Sequence, residues 1–202
     1  MPSTANASML HRLSRAALAA LCLSAPAQAA ELRISFGEES LRAEYLAPLS
    51  QPVADSAPTL QAGALYREND ETDGSLLHAG VVIYGDAGSK SAIVQAGIGG
   101  RLYGLSTDPD LNGGALAMGG SVLGRIPNYD RFGAFVDLWF APQVSSFGEL
   151  DRVLEINLGV EYQLLRQAAL GLGWRRIEFK AAGISGTQEF EDSAFLAFKF
   201  LF

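Results

Sequence analysis

Only one cysteine, Cys22, occurs in 202 residues, so the chain cannot close an internal disulfide. No uncharged apolar run reaches the roughly 20 residues that a membrane-crossing helix needs. The longest, Ala16 to Leu23, falls well short. Basic residues are also scarce, with 15 Lys and Arg against 22 Asp and Glu. Nucleic-acid binding relies on a basic surface, and this balance excludes it. Histidine is limited to His11 and His78. Beyond the first 29 residues there is no 3.6-residue apolar periodicity, so helices are not expected to build the fold.

The N-terminal stretch "LHRLSRAALAALCLSAPAQAAEL" has the three parts of a secretory signal peptide. Arg12 and Arg15 precede the apolar segment, and Ala27-Gln28-Ala29 supplies an A-x-A cleavage site. Residues 1–29 are therefore expected to be removed, with Met9 as an alternative start. Cleavage leaves residues 30–202 with 13 basic and 22 acidic residues, a formal charge of −9 and no cysteine. Leu21, next to Cys22, is not the small residue that a lipid-anchor signal wants. The expected location is the envelope of a bacterium.

What the sequence has in abundance is period-two alternation, broken by clusters of Gly, Pro, Asn and Asp. It predicts ten strands, near 31–36, 41–47, 59–67, 76–85, 91–104, 114–124, 132–142, 152–165, 168–180 and 191–202. In "RVLEINLGVEYQLL", Leu154, Ile156, Leu158, Val160, Tyr162 and Leu164 share one face. Glu155, Asn157, Gly159, Glu161 and Gln163 share the other. In "RFGAFVDLWF", Phe132, Ala134, Val136, Leu138 and Phe140 oppose Asp137. Val94, Ala96, Ile98 and Leu102 likewise oppose Gln95, Gly97, Gly99, Arg101 and Tyr103.

Soluble β-sandwiches alternate too, but their strands usually run to ~5–6 residues. Several strands here are longer, and a tilted membrane-crossing strand needs about 9–11. The polar faces also carry Gly97, Gly99, Gly159, Gly171 and Gly173, which suits a narrow lumen where small residues make room for large ones. The predicted fold is thus all-β, a transmembrane antiparallel up-and-down β-barrel over residues 30–202. An even strand number is expected: ten, or eight if the N-terminal hairpin lies outside the wall. An open sheet edge is not tolerated in lipid, so the last strand should pair with the first. That explains the ending "SAFLAFKFLF", whose Ala194, Leu196, Phe198, Phe200 and Phe202 would face lipid. Trp174 and Tyr162 are candidates for the aromatic girdles.

The connections alternate in character. "ENDETDGS", "LSTDPDLNG", "QVSSFGELD" and "KAAGISGTQ" read as external loops, while "YGDAGSK", "GRIPNYDR" and "LLRQAA" read as short periplasmic turns. The Pro-rich "PLSQPVADSAP" falls on the periplasmic side as the one long exception.

The signal peptide, "FGEESLRAEY", "FAPQVSSFGELDRVLEINLGVEYQLLRQAALGLGW" and the terminal "FKFLF" together resemble the YfaZ family of proteobacterial outer-membrane proteins. The resemblance implies an outer-membrane barrel and implies no activity. A C-terminal strand ending in Phe also looks like the signal read by the outer-membrane barrel assembly machinery, with Phe202 as its last residue.

Few residues suggest chemistry. His78 stands by the acidic segment with Ser75 and Asp73 near it in sequence, but nothing in the spacing enforces a nucleophile–base contact. "DPDLNG" matches the first half of a calcium loop, yet its twelfth position is Gly119 instead of Glu, and Pro109 interrupts it. "GIGGRLYG" lacks the dinucleotide spacing and lies in a strand. The expectation is therefore no catalytic, cofactor-binding or metal-binding residue, and no enzyme. The most informative set is Arg101, Asp137, Glu155, Glu161, Arg175 and Lys199, all on polar strand faces. Three acids and three bases in a narrow lumen should pair and plug it.

The function expected from sequence is a small, largely closed outer-membrane barrel with a structural or surface-interaction role. It would act as a monomer, with outer-membrane lipid and lipopolysaccharide as its surroundings. A narrow solute channel, a barrel enzyme acting on lipid or peptide, and a soluble periplasmic β-sandwich are the alternatives.

Overall fold

The computed structural model describes residues 30–49, 56–68, 73–88, 93–108, 111–126, 129–183 and 186–202. The signal segment 1–29 and parts of several connections, including 69–72 and 109–110, lie outside the described residues.

All ten expected strands form. They are β1 (Glu31–Phe36), β2 (Ser40–Pro48), β3 (Ser56–Arg67), β4 (Asp73–Asp86), β5 (Ile93–Asp108), β6 (Leu111–Ile126) and β7 (Tyr129–Ala141), then β9 (Leu150–Leu165), β10 (Ala168–Ala181) and β11 (Gln188–Leu201). An additional short strand, β8 (Ser146–Gly148), follows a 3₁₀ turn at Gln143–Ser145 and pairs with Gly113–Ala115 of β6. Each of the ten long strands pairs antiparallel with its neighbours, and β1 pairs with β11, so the wall closes on itself. The N-terminal hairpin is part of that wall, which fixes the count at ten. A single closed sheet also removes the sandwich alternative.

The register gives the shear of the barrel. From Phe200 the ladder runs Leu32–Tyr45–Ala62–Ala79–Leu102–Leu116 to β6. Six residues nearer the terminal end of β6, Val122 continues as Val136–Leu158–Trp174–Ala194. Ala194 is itself six residues from Phe200, so one circuit displaces the ladder by 6 plus 6, or 12 residues. Ten strands with that shear tilt by about 40°.

Side chains alternate across the wall as the sequence requires. In β5 Ile98 is 76% exposed while Tyr103, of the opposite parity, is buried, and in β9 Val160 is 55% exposed while Glu155 is buried. The outward apolar positions form a belt between two aromatic levels. Tyr162, Phe132 and Phe200 ring the end that carries Ala30 and Phe202, and Tyr66 and Phe140 ring the distal end, while Trp174 pairs with Leu158 in the middle of the belt instead of joining a girdle. Among the described residues no helix is long and apolar enough to cross a membrane.

One expectation is corrected here. "LSTDPDLNG" is not a loop, because β5 runs to Asp108 and β6 starts at Leu111, with Thr107 paired to Leu111. The alternation extends through Leu105 and Leu111, whose buried side chains hold both strands in the ladder beyond the belt.

Candidate functional site

The lumen is the only concavity that the sequence singled out, and it is filled in layers. At the distal end, Leu65, Leu76, Leu105, Leu150, Val153, Ile177, Phe179 and Phe190 form one buried apolar cluster. Such a layer is more like the core of a soluble protein than the wall of an aqueous pore.

Below it lies a layer of charge centred on Glu155, which is fully buried. Its Oε1 accepts from Arg42 Nη1 at 2.6 Å and from Asn157 Nδ2 at 2.7 Å. Its Oε2 accepts from the Tyr103 hydroxyl at 2.5 Å, with Arg101 Nη1 at 3.4 Å. Arg101 also donates to Gln61 Oε1 at 2.7 Å and stacks its guanidinium 4.1 Å from the Trp139 ring centre. Arg42 continues to Glu44 at 2.7 Å, and Glu44 lies 3.3 Å from His78 Nε2. On the other side, Arg175 joins Asn157 at 3.0 Å, Ser35 at 2.7 Å and Glu191 at 3.4 Å. Buried charges persist when each is met by counter-charge, and every charged group in this layer has one, although the Nε atoms of Arg42 and Arg101 and both ring nitrogens of His78 make no hydrogen bond among the described residues.

Glycines make this packing possible. Gly63 lies opposite His78, and a Cβ there would come within 2.4 Å of the imidazole. Gly119 lies opposite Trp139 in the same way.

Toward the terminal end the filling thins. Lys199 pairs with Glu161 at 2.7 Å, and Arg33 with Glu31 at 2.8 Å. Arg33, Lys199, Glu161 and Phe135 line a small recess of about 10 Å³, room for no more than a water molecule.

Of the six ionisable residues expected to pair, Arg101, Glu155 and Arg175 meet in the central layer. Glu161 and Lys199 pair nearer the terminal end. Asp137 also faces inward but makes no hydrogen bond among the described residues, and Arg33 is its main counter-charge. The sequence reading missed Arg33, Arg42, Glu44 and Glu191. Strict alternation in "ELRISF" and "LRAEY" would have revealed the first three. Glu191 keeps the inward parity of Lys199, so the same alternation reaches it, and the bulge in the β10–β11 register comes only beyond it, at Phe190.

His78 is not at a loop mouth. It lies within β4, facing inward, whereas Ser75 and Asp73 have the opposite parity and face outward. These three side chains form no triad. The half-calcium motif is likewise dispersed, with Asn112 and Gly113 in the β5–β6 ladder and Gly119 paired to Gly99. Among the described residues no three His, Cys, Asp or Glu side chains are grouped to hold a metal.

Comparison with known proteins finds one family, described as YfaZ precursor, matching residues 11–202. No curated protein matches. Among solved structures, a chain described under "Unveiling the Mechanism Behind the in-meso Crystallization of Membrane Proteins" is 12% identical, with 87% of this chain and 83% of that chain covered and a TM-score of 0.41. A KdgM porin is 10% identical over 87% of this chain and 99% of the porin, with a TM-score of 0.37. At TM-scores below 0.5 these likenesses decide nothing about this chain.

Proposed function

The chain belongs to the YfaZ family, and from that premise we propose that it is a closed barrel of the bacterial outer membrane with a structural or surface-interaction role. Ala30 and Phe202 lie at one end, which this reading places in the periplasm; the distal end then faces outward. The observation that carries the proposal is the cross-section at Glu155. Arg42 on β2 and Glu155 on β9 meet across the lumen at 2.6 Å, and the apolar cluster lies directly beyond them. An ion moving along the axis would have to break that pairing and then cross an apolar plug.

Planar bilayers containing the refolded protein test it. The expected record is a quiet baseline, and a steady unitary conductance would replace this reading with the narrow channel. The outward apolar belt, about 25 Å tall for this kind of barrel, supports membrane residence. Fractionation should find the protein in the outer membrane, and a different band position without boiling would report the folded barrel. Among the described residues neither ring nitrogen of His78 has a hydrogen-bond partner, so no hydroxyl is set against it as the enzyme alternative needs, and His78→Ala should leave envelope lipids and peptides unprocessed to the same extent as wild type.

A further inference from the structure

Four basic side chains lie in the distal half of the wall: Arg67, Arg152, Arg176 and Lys180, with the Arg152–Lys180 pair four residues beyond the Arg176–Ile156 pair. Two of them are matched by carboxylates. Arg67 pairs with Glu39 at 3.1 Å, and Arg176 is held by Glu178, by Asp192 at 3.5 Å and by Glu189 at 3.7 Å. Arg152 and Lys180 have no carboxylate partner among the described residues. Arg152 donates to the Thr187 hydroxyl at 2.8 Å. The nearest acids are engaged elsewhere, Glu178 by Arg176 and Asp151 by Gln143 at 3.2 Å.

The β9–β10 register places Arg152 and Lys180 directly opposite each other. Both have the parity of Leu154, Leu158 and Trp174, so both face outward. Like charges opposed across a ladder repel and weaken it, so the arrangement calls for an anion between them. Their level specifies which kind. Arg152 is the next outward position beyond Leu154, the last outward-facing apolar residue of β9, and stands about 5 Å higher along the barrel axis. That is the headgroup layer.

We infer that Arg152 and Lys180 bind a phosphate group of an outer-leaflet lipid, the phosphomonoester of lipid A in lipopolysaccharide, with the Thr187 hydroxyl as a further donor. A phosphate offers oxygens to the planar guanidinium fork and the point-charge ammonium together. The inference rests on the outer-membrane reading above, since only then does the distal rim meet that leaflet.

The test uses the full barrel refolded in detergent, with diphosphorylated lipid A, dephosphorylated lipid A and phosphatidylglycerol as probes in native mass spectrometry. Wild type should retain diphosphorylated lipid A over both others. Arg152→Ala and Lys180→Ala should each lower retention about five-fold, as the loss of one surface cation implies. Thermal melting gives a second reading with opposite signs. Without lipid, Lys180→Ala should melt no lower than wild type because a repulsion is gone; with lipid A, wild type should rise more than either variant. Equal retention by wild type and variants, or equal retention of phosphatidylglycerol, overturns the site. A wild-type protein with no boiling-dependent band shift overturns the barrel reading itself, which is a separate failure.

Discussion

Arg42 and Glu155 are separated by 113 residues in sequence and by the width of the barrel, yet their side chains meet at 2.6 Å. They belong to strands that share no ladder, so the contact ties opposite walls together. Removing one member leaves the other buried without its counter-charge. Glu155→Gln should therefore cost about 3–5 kcal/mol. Arg42→Gln combined with Glu155→Gln should recover part of that loss, because neither charge is then stranded. The urea midpoint of the boiling-dependent band shift measures both, and equal values for the single and double variants would dissolve the pairing argument.

Outward and inward positions should respond differently to the same charge. Leu158→Arg puts a cation on the apolar belt near mid-membrane, at a cost of roughly 2–4 kcal/mol. Ser106→Arg also faces outward, but in a rung of polar residues with Ser75 and Asn112 beyond the belt, and should cost about 0–1 kcal/mol. Comparable losses in refolding titrations would contradict the placement of the membrane.

Glycines divide by what stands opposite them. A Cβ at Gly119 would lie 2.0 Å from the Leu138 carbonyl and 2.9 Å from the Trp139 ring. Gly119→Ala should destabilise by about 1–3 kcal/mol through this overpacking. Gly104 faces outward, and a methyl added there would meet nothing within 4 Å, so Gly104→Ala should be neutral. Thermal melts of the two variants decide whether the lumen is as tightly filled as its layers indicate.

The C-terminal residue closes the seam. Phe202 donates its backbone N–H to the Ala30 carbonyl at 2.9 Å, and its ring is 70% exposed on the outer face. Deleting Phe202 should lower the amount of assembled barrel in the outer membrane more than it lowers the refolding yield in detergent. That difference separates recognition by the assembly machinery from folded-state stability. Equal reductions in both assays would remove the recognition role.

The ten strands and their faces were legible because alternation is strict where one side meets lipid and the other a filled lumen. Leu158 and Glu155 show it within one strand. What the sequence did not reveal was partnership. Arg42 and Glu155 pair across the lumen through the shear of the whole barrel, a quantity that no local pattern contains. His78 was misread for a related reason, since the acidic residues before it suggested a loop while β4 already begins at Asp73. Asn157 is a further case. Alternation places it only on the polar face, but it bridges Glu155 and Arg175 at 2.7 and 3.0 Å, so Asn157→Arg would break the charge layer. Strand β8 was missed because three residues carry too little alternation to register.

The six-residue β1 makes the wall mechanically uneven. Its ladders to β2 and β11 each hold six residue pairs, while the β4–β5 ladder holds fourteen. A force applied to the N-terminus therefore meets the shortest row of hydrogen bonds first. The barrel would tear along that row before its long hairpins yielded, and its rupture pattern would begin with a small step.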